Sequence, residues 1–210
     1  MENPVIIFGA SALGQAALEI FESNNIVVYG FLDDDKEKHG QELSEVSVLG
    51  LTDDDGYLKL IGKKCEGFIA VDDRELRKGL VDLMLERRKM MPVNAIHSNT
   101  EIAPSAHIAH GIFINSGVVI GSHAKVGNHC LLHTNVAIDY SAKLGDLVQV
   151  GAGSVVGSEA VIEDNVFIGS GVTIVPGVTV GKNARIGAGS VVVSNVEEDA
   201  MVFGNPAKKV

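Results

Sequence analysis

With two cysteines in 210 residues, the chain has no basis for a disulfide framework. A bilayer span is also missing, since no run is long and apolar enough, and the opening Met1-Glu2-Asn3-Pro4 lacks the basic start of a secretory signal. These absences lead us to expect a cytoplasmic chain. Basic charge is scarce too: 17 Lys and Arg face 27 Asp and Glu, a net charge of −10, which argues against nucleic acid or an anionic membrane as partner. Both parts are acidic, residues 1–95 holding 18 acidic and 11 basic side chains and the remainder 9 and 6. The abundant residues are small or aliphatic. At 46% hydrophobic with 24 glycines, the composition fits a soluble solenoid joined to a small globular partner.

The solenoid is written as a six-residue beat. From Ile96 every sixth residue is a branched aliphatic, through Ile102, Ile108 and Ile114 to Ile186 and Val192, seventeen hexads in one register. Four places after each sits a small or β-branched residue, among them Ala106, Val118, Cys130, Ser154 and Ser190. Neither the helix period nor strand alternation produces this spacing, whereas short strands forming the sides of a stacked coil do. Three hexads make one triangular turn, so residues eighteen apart lie above one another at the interstrand distance of about 4.8 Å. Cys130 falls on a small inward position, where a thiol acts as a compact hydrophobe.

The first 92 residues read differently. Pro4 to Phe8 is a short apolar run typical of a buried parallel strand, and it enters Gly9-Ala10-Ser11-Ala12-Leu13-Gly14 directly. Helical spacing follows at Leu13, Ala17, Ile20 and Phe21, with Ser11 as N-cap. A strand, a glycine-flanked turn and a helix can present backbone N–H groups to a phosphate, although Gly9 and Gly14 fall short of a full GxGxxG and a plain tight turn reads the same. A second strand, Val27 to Phe31, ends in Leu32-Asp33-Asp34-Asp35, where an acidic side chain can accept hydrogen bonds from a ribose or base. Three adjacent carboxylates repel phosphate, so one or two face a ligand and the rest are solvated loop charge. Further strands are expected at 46–51 and 67–71, and a helix after Asp72-Asp73-Arg74-Glu75 with Leu76, Leu80, Leu83 and Met84 on its buried face. Met91-Pro92 breaks it. The expected organisation is an α/β Rossmann-like domain over 1–92 and a parallel β-helix with a C-terminal tail over 93–210.

Polar columns recur at the eighteen-residue spacing of the coils. His97, Asn115, His133, Gly151, Gly169 and Gly187 form one column, in which side chains shrink to glycine and are expected to leave a groove beside exposed backbone amides. Tyr140, Ser158, Pro176 and Ser194 lie in another. The tail carries a Gly204-Asn205-Pro206 turn.

The Gly-Ala-Ser turn, the Leu-Asp-Asp strand end, the hexads and the terminal Gly-Asn-Pro-Ala-Lys together resemble the bacterial nucleotide-amino-sugar N-acetyltransferases and sialic acid O-acetyltransferases. The resemblance implies a left-handed β-helix, a homotrimer and acetyl transfer from acetyl-CoA to an amino or hydroxyl group of a nucleotide-linked sugar. It implies nucleotide contacts at Gly9, Ala10, Ser11, Leu13, Asp34, Asp35 and Glu75. Acetyl-CoA contacts are implied around Gln149, Ser158, Ser170 and Ala188, with the amide near Ser158 holding the thioester carbonyl. Arg185, Lys208 and Lys209 either meet the CoA phosphates or are loose surface charge.

The chain departs from that family at four side chains. Tyr140 occupies the place of the catalytic histidine, Ser141 that of its acidic partner, Gln149 that of a ligand-contacting histidine, and Leu13 that of the histidine in the glycine turn. A phenol, with an ordinary pKa of about 10, is a poor base. His133 offers an imidazole close by or caps a corner; Asp139 orients a partner or serves the turn alone. The candidate catalytic residues are therefore His133, Tyr140 and Asp139. No metal is expected. A catalytically impaired homologue that keeps its ligands is one alternative. A histidine-bound zinc site using His97 and His133, as in the gamma-class carbonic anhydrases, is another, weakened because Ile138 stands where a third ligand is needed.

Overall fold

The computed structural model describes residues 3–210, in two compact units, one ending at Ser98 and the other spanning Asn99–Val210. The first is built on a five-stranded sheet. Strand β1 (Val5–Phe8) is buried at every position, as its unbroken apolar run requires, and runs into Gly9. Helix α1 (Ala12–Ser23) buries Leu13, Ala17, Leu18, Ile20 and Phe21, and Ser11 caps it by accepting the Gly14 N–H at 3.3 Å. Then come β2 (Val28–Leu32), β3 (Glu42–Leu43), β4 (Val46–Gly50), α2 (Asp55–Leu58), β5 (Glu66–Ile69) and α3 (Arg74–Arg88). The sheet order is β3-β4-β2-β1-β5, parallel except for the β3–β4 hairpin, so the glycine turn after β1 lies centrally at the carboxyl edge.

Helix α3 is rotated from the expected face. Arg77, Leu80, Val81 and Met84 are buried, while Leu76 is 50% exposed. The cause is Arg77, whose guanidinium turns inward and donates to the carbonyls of Val71 and Asp72 at 2.9 and 3.2 Å. The first hexad strand, Ala95–Ile96, belongs to this unit: it packs on α1, and Asn24 Nδ2 donates to the Ile96 carbonyl at 2.8 Å.

The second unit is a left-handed parallel β-helix. Sixteen two-residue strands, Glu101–Ile102 to Val191–Val192, each end on the aliphatic residue of their hexad. They pair in parallel register at eighteen-residue steps, for instance Phe113 with Leu131, Leu131 with Gln149, Gln149 with Phe167 and Phe167 with Arg185. The aliphatic and small positions close the core, with the first coil's Ile102 and Ile108 half-buried and the later ones fully so. Interior hydroxyl and thiol groups tie neighbouring turns together. Ser154 Oγ donates to the Gly169 carbonyl at 2.8 Å and accepts the Val172 N–H at 3.0 Å; the Cys130 thiol, more than a hydrophobe, donates to the Gly145 carbonyl at 3.2 Å.

Corners follow the same beat. From Gly111 to Gly189 every sixth residue has a positive φ, including His123, Asn135, Ser141, Leu147 and Glu159. At one corner column Asn128, Asp146 and Asp164 accept the N–H groups of His110, Asn128 and Asp146, which satisfies amides the ladder leaves over. The tail closes the end: Met201–Phe203 pairs with Arg185–Ile186 and folds back on Lys208–Lys209, while Ser190 Oγ accepts the Gly204 N–H at 3.0 Å.

Two neighbouring glycines separate the conformational requirement from the steric one. Gly177 has φ +72° and open space around it, so Gly177→Ala should cost about 1 kcal/mol for the left-handed backbone alone. A Cβ on Gly181 would lie 2.6 Å from the Glu198 nitrogen in the next turn, so Gly181→Ala should cost about 2–3 kcal/mol. Urea unfolding of the two variants should give that order.

Candidate functional site

In the first unit the glycine turn is held by a carboxylate. Asp33 Oδ2 accepts the Ala10 N–H at 2.7 Å and the Lys38 ammonium at 3.0 Å, and its Oδ1 accepts the Asp35 N–H at 2.9 Å. Burial alone would push the Asp33 carboxyl up, but the Asp35 and Ala10 N–H groups and the Lys38 ammonium outweigh it and hold the group below its ordinary value. Gly9 is required here: it sits at φ +110°, and a Cβ would lie 2.5 Å from the Ala70 carbonyl oxygen. Ser11, exposed, contacts the same carbonyl through Oγ at 3.4 Å.

The three adjacent carboxylates each hold a structural partner, while Asp34 and Asp35 stay exposed to solvent. Asp33 latches the turn, Asp34 Oδ1 accepts the N–H and hydroxyl of Thr52 at 3.0 and 2.8 Å, and Asp35 Oδ1 accepts the Glu37 N–H to cap a 3-10 turn. Ala10 and Leu13 turn their side chains inward, and the Ala10 amide is already taken. Of the N–H groups opening α1, Gly14 bonds to Ser11 Oγ and Gln15 to the Ser11 carbonyl, while Ala12 and Leu13 make no bond among the described residues. Glu75 lies in the first turn of α3, exposed and paired with Arg74 at 3.1 Å.

On the β-helix, an open groove of about 230 Å³ is lined by His133, Thr134, Gln149, Gly151, Ala152, Phe167, Gly169 and Ser170. It brings together five of the residues singled out in the sequence, His133, Gln149, Gly151, Gly169 and Ser170. Gln149 Nε2 lies 3.3 Å from His133 Nε2, and the imidazole faces the buried Phe113 ring at a centroid distance of 6.1 Å. Phe167 forms the floor, with the Arg185 guanidinium 4.7 Å from its centroid. Ala188 stands in the next coil, where its nitrogen would be 2.6 Å from a Cβ placed on Gly169.

The groove exists, but not for the expected reason. The N–H groups of Gly151, Gly169 and Gly187 are not exposed; they donate to Ile168, Ile186 and Val202 carbonyls at 2.7, 2.9 and 2.8 Å. Glycine is needed because the next coil comes close, a Cβ on Gly151 falling 2.5 Å from the Ser170 nitrogen. Phe167 is absent from the sequence reading, and Arg185 enters it only as a phosphate contact or loose charge, although an outward aromatic one rung from an arginine is visible at the eighteen-residue spacing.

Tyr140 and Asp139 are elsewhere. They lie one hexad on from His133, at the far end of the face that begins with Ala137–Ile138. Tyr140 is 52% exposed, and Asp139 Oδ1 accepts the Tyr140 N–H at 2.7 Å, the turn-serving role of a corner aspartate. Ser158 stacks on this corner and accepts the Gly177 N–H through its carbonyl at 2.9 Å. Lys209 pairs with Glu197 at 2.7 Å. Ile138, where the zinc reading needs a ligand, is buried in the core; among the described residues no three His, Cys, Asp or Glu side chains are grouped to hold a metal ion. Among the described residues no helix is long and apolar enough to cross a membrane.

Comparison with known proteins gives two family matches, the PglD N-terminal domain over residues 4–84 and the bacterial transferase hexapeptide (six repeats) over 159–194. No curated protein sequence matches. Among solved structures, PerB from Caulobacter crescentus in complex with CoA and GDP-perosamine is 26% identical with a TM-score of 0.90, covering 100% of this chain and 98% of that one. A variant of GDP-perosamine N-acetyltransferase from the same organism, also with CoA and GDP-perosamine, is 25% identical with a TM-score of 0.91 and the same coverage. The acetyltransferase domain of PglB from Neisseria gonorrhoeae, in complex with acetyl coenzyme A, shares the fold at 21% identity, TM-score 0.90, covering 100% of both chains.

The depressed Asp33 carboxyl ties the stability of this turn to pH. A group whose pKa is lowered on folding stabilises above its unfolded value, about 3.9, and loses that contribution as pH falls through the folded one. Asp33→Asn should destabilise by about 1–2 kcal/mol at pH 7, as for hydrogen bonds to a charged group. The gap between the two proteins in urea unfolding should narrow below about pH 4.

Proposed function

We propose that this chain, a hexapeptide-repeat acyltransferase with a PglD-type N-terminal domain, moves the acetyl group of acetyl-CoA to an amino group of a nucleotide-linked sugar. The observation that carries the reading is the groove: a side chain of proton-transfer chemistry, His133, stands beside polar Gln149 and Ser170 above an arginine-stacked aromatic floor. That groove sits on a fold matched end to end by structures holding CoA and GDP-perosamine. An amine acceptor suits this chain better than a hydroxyl, because an ammonium sheds its proton at moderate pH and then attacks without a strong base.

The residues divide the work. Gln149, Ser158, Ser170 and Ala188 contact the acetyl-CoA, with the amide near Ser158 polarising the thioester carbonyl. In the first unit, Gly9 and Ala10 shape the turn and Ser11 and the opening N–H groups of α1, including that of Leu13, meet the phosphates. Asp34 offers its second carboxylate oxygen to the ribose or base, exposed Asp35 offers an oxygen 4.0 Å from the Lys38 ammonium, and Glu75 stands at the start of α3.

The active assembly in this reading is a homotrimer with each acetyl site shared between copies. Two observations support it. Tyr140 and His133 lie at opposite ends of one face of a single chain, so one copy cannot close a site around both. That face carries a stripe of Val119, Ala137, Val155, Thr173 and Val191, neutral and with Val119 and Val155 at 47% and 41% exposure.

Thiol release from acetyl-CoA with a panel of UDP- and GDP-linked amino sugars tests the activity; coenzyme A binding with no turnover on any acceptor would move the assignment to a binding homologue. Val155→Glu should convert the assembly to monomers in sedimentation and reduce turnover at least about tenfold, since a charge buried at an interface is strongly disfavoured.

A further inference from the structure

We propose that His133 is the proton acceptor of the transfer and that Gln149 is its positioning residue, holding the imidazole neutral with Nε2 aimed along the groove. The inference rests on the acetyltransferase reading and adds to it the atom that takes the proton. The Gln149 carboxamide selects the tautomer. Its nitrogen, 3.3 Å from His133 Nε2, has hydrogens and no lone pair, so it donates and the imidazole nitrogen accepts. His133 thereby carries its own proton on Nδ1 and keeps a lone pair on Nε2. A hydrogen bond donated to the neutral form disfavours the imidazolium.

Gln149 is in register between Leu131 and Phe167 on adjacent rungs, which sets its carboxamide beside the imidazole without a backbone group holding it there. The remaining groove side chains, Thr134, Phe167 and Ser170, do not titrate in the range of an imidazole, nor does Asn115 one rung away in the same column; the charged side chains of this sheet include Arg185, stacked on Phe167, and Lys208 and Lys209 on its last strand. The other candidates are poorly placed to take the proton. Asp139 is turned to the Tyr140 N–H, and Tyr140 carries a phenol, a poor base at its ordinary pKa of about 10.

The lone pair of the neutral acceptor amine attacks the thioester carbonyl carbon, forming the C–N bond. The C–S bond then breaks, and its electron pair leaves on sulfur. The proton shed by nitrogen passes to His133 Nε2, where the amine N–H takes the place of the Gln149 donor, and moves on to the thiolate to give free coenzyme A and the acetamido sugar. In the absence of substrate the carboxamide N–H thus occupies the position of the acceptor's N–H.

Three variants separate the roles. His133→Asn should lower kcat about 100-fold or more while coenzyme A affinity, read by calorimetry, stays within about threefold. Gln149→Glu replaces a donor by an acceptor that favours the imidazolium, and should move the acidic limb of kcat/KM upward by about one pH unit or more. Gln149→Leu should move that limb in neither direction as far and should chiefly lower kcat. Long-range nitrogen NMR of the imidazole should report Nδ1–H in the wild-type chain and an upward titration shift in Gln149→Glu. Absence of turnover by the wild-type chain overturns the acetyltransferase reading and this inference with it. An active wild type matched by an equally active His133→Asn, or a pH limb that Gln149→Glu leaves in place, overturns this inference alone.

Discussion

The second unit depends on one constraint: every coil must hydrogen-bond to the next in parallel register at an eighteen-residue step. Phe113 N–H donates to the Cys130 carbonyl, Leu131 to Val148, Gln149 to Val166 and Phe167 to Ala184, all between 2.9 and 3.0 Å. Because the step is fixed, each residue's direction is fixed with it, inward for the aliphatic and small positions and outward for the residue preceding each aliphatic. The interior has no tolerance for a shifted register. A slip by one would put Lys125, Lys143 and Arg185 where Val126, Leu144 and Ile186 now fill the core.

That ladder also decides what the groove is made of. It consumes the backbone N–H groups along the glycine column, so a ligand beside Gly151 and Gly169 meets side chains and carbonyl edges more than free amides. Specificity then falls to the outward rungs, where stacking is obligatory and neighbours come in vertical pairs. Gln149 over Phe167 and Phe167 over Arg185 are such pairs. The same stacking places Phe113 against the His133 corner. A single outward substitution changes the environment of two rungs, which lets a solenoid alter its chemistry without altering its core.

The architecture was legible because its signal is redundant: seventeen repetitions of one choice leave little else for Ile114, Ile120 or Val126 to do. The short apolar run into Gly9 and the helical spacing to Phe21 were readable for a similar reason, each being a pattern of burial. The site was less so. Whether Asp33 faces solvent or seizes the Ala10 amide depends on how β2 and the glycine turn approach one another, which no local pattern encodes. The face of α3 was misjudged because a buried arginine outranked Leu76, a choice made by two carbonyls at the end of β5. The corner columns could be read from sequence, but the close approach of the next coil, which demands glycine at Gly151, appears only in three dimensions.

The polar atoms that remain for ligands are those the scaffold leaves unused. In the first unit Asp33 gives both carboxylate oxygens to the structure, Asp35 gives one to the Glu37 N–H and has the other 4.0 Å from the Lys38 ammonium, and Asp34 commits one oxygen to Thr52. On the β-helix Asp139 spends an oxygen on its own corner, and the glycine column spends its amides on the ladder. His133 is different, because its Nε2 partner is a side-chain amide that can rotate away, not a backbone group fixed by the fold. A hydrogen bond to a neutral, movable donor is the kind a substrate N–H can replace without unfolding anything around it. The groove thus offers an imidazole nitrogen whose partner can be exchanged while the ladder and the core stay as they are.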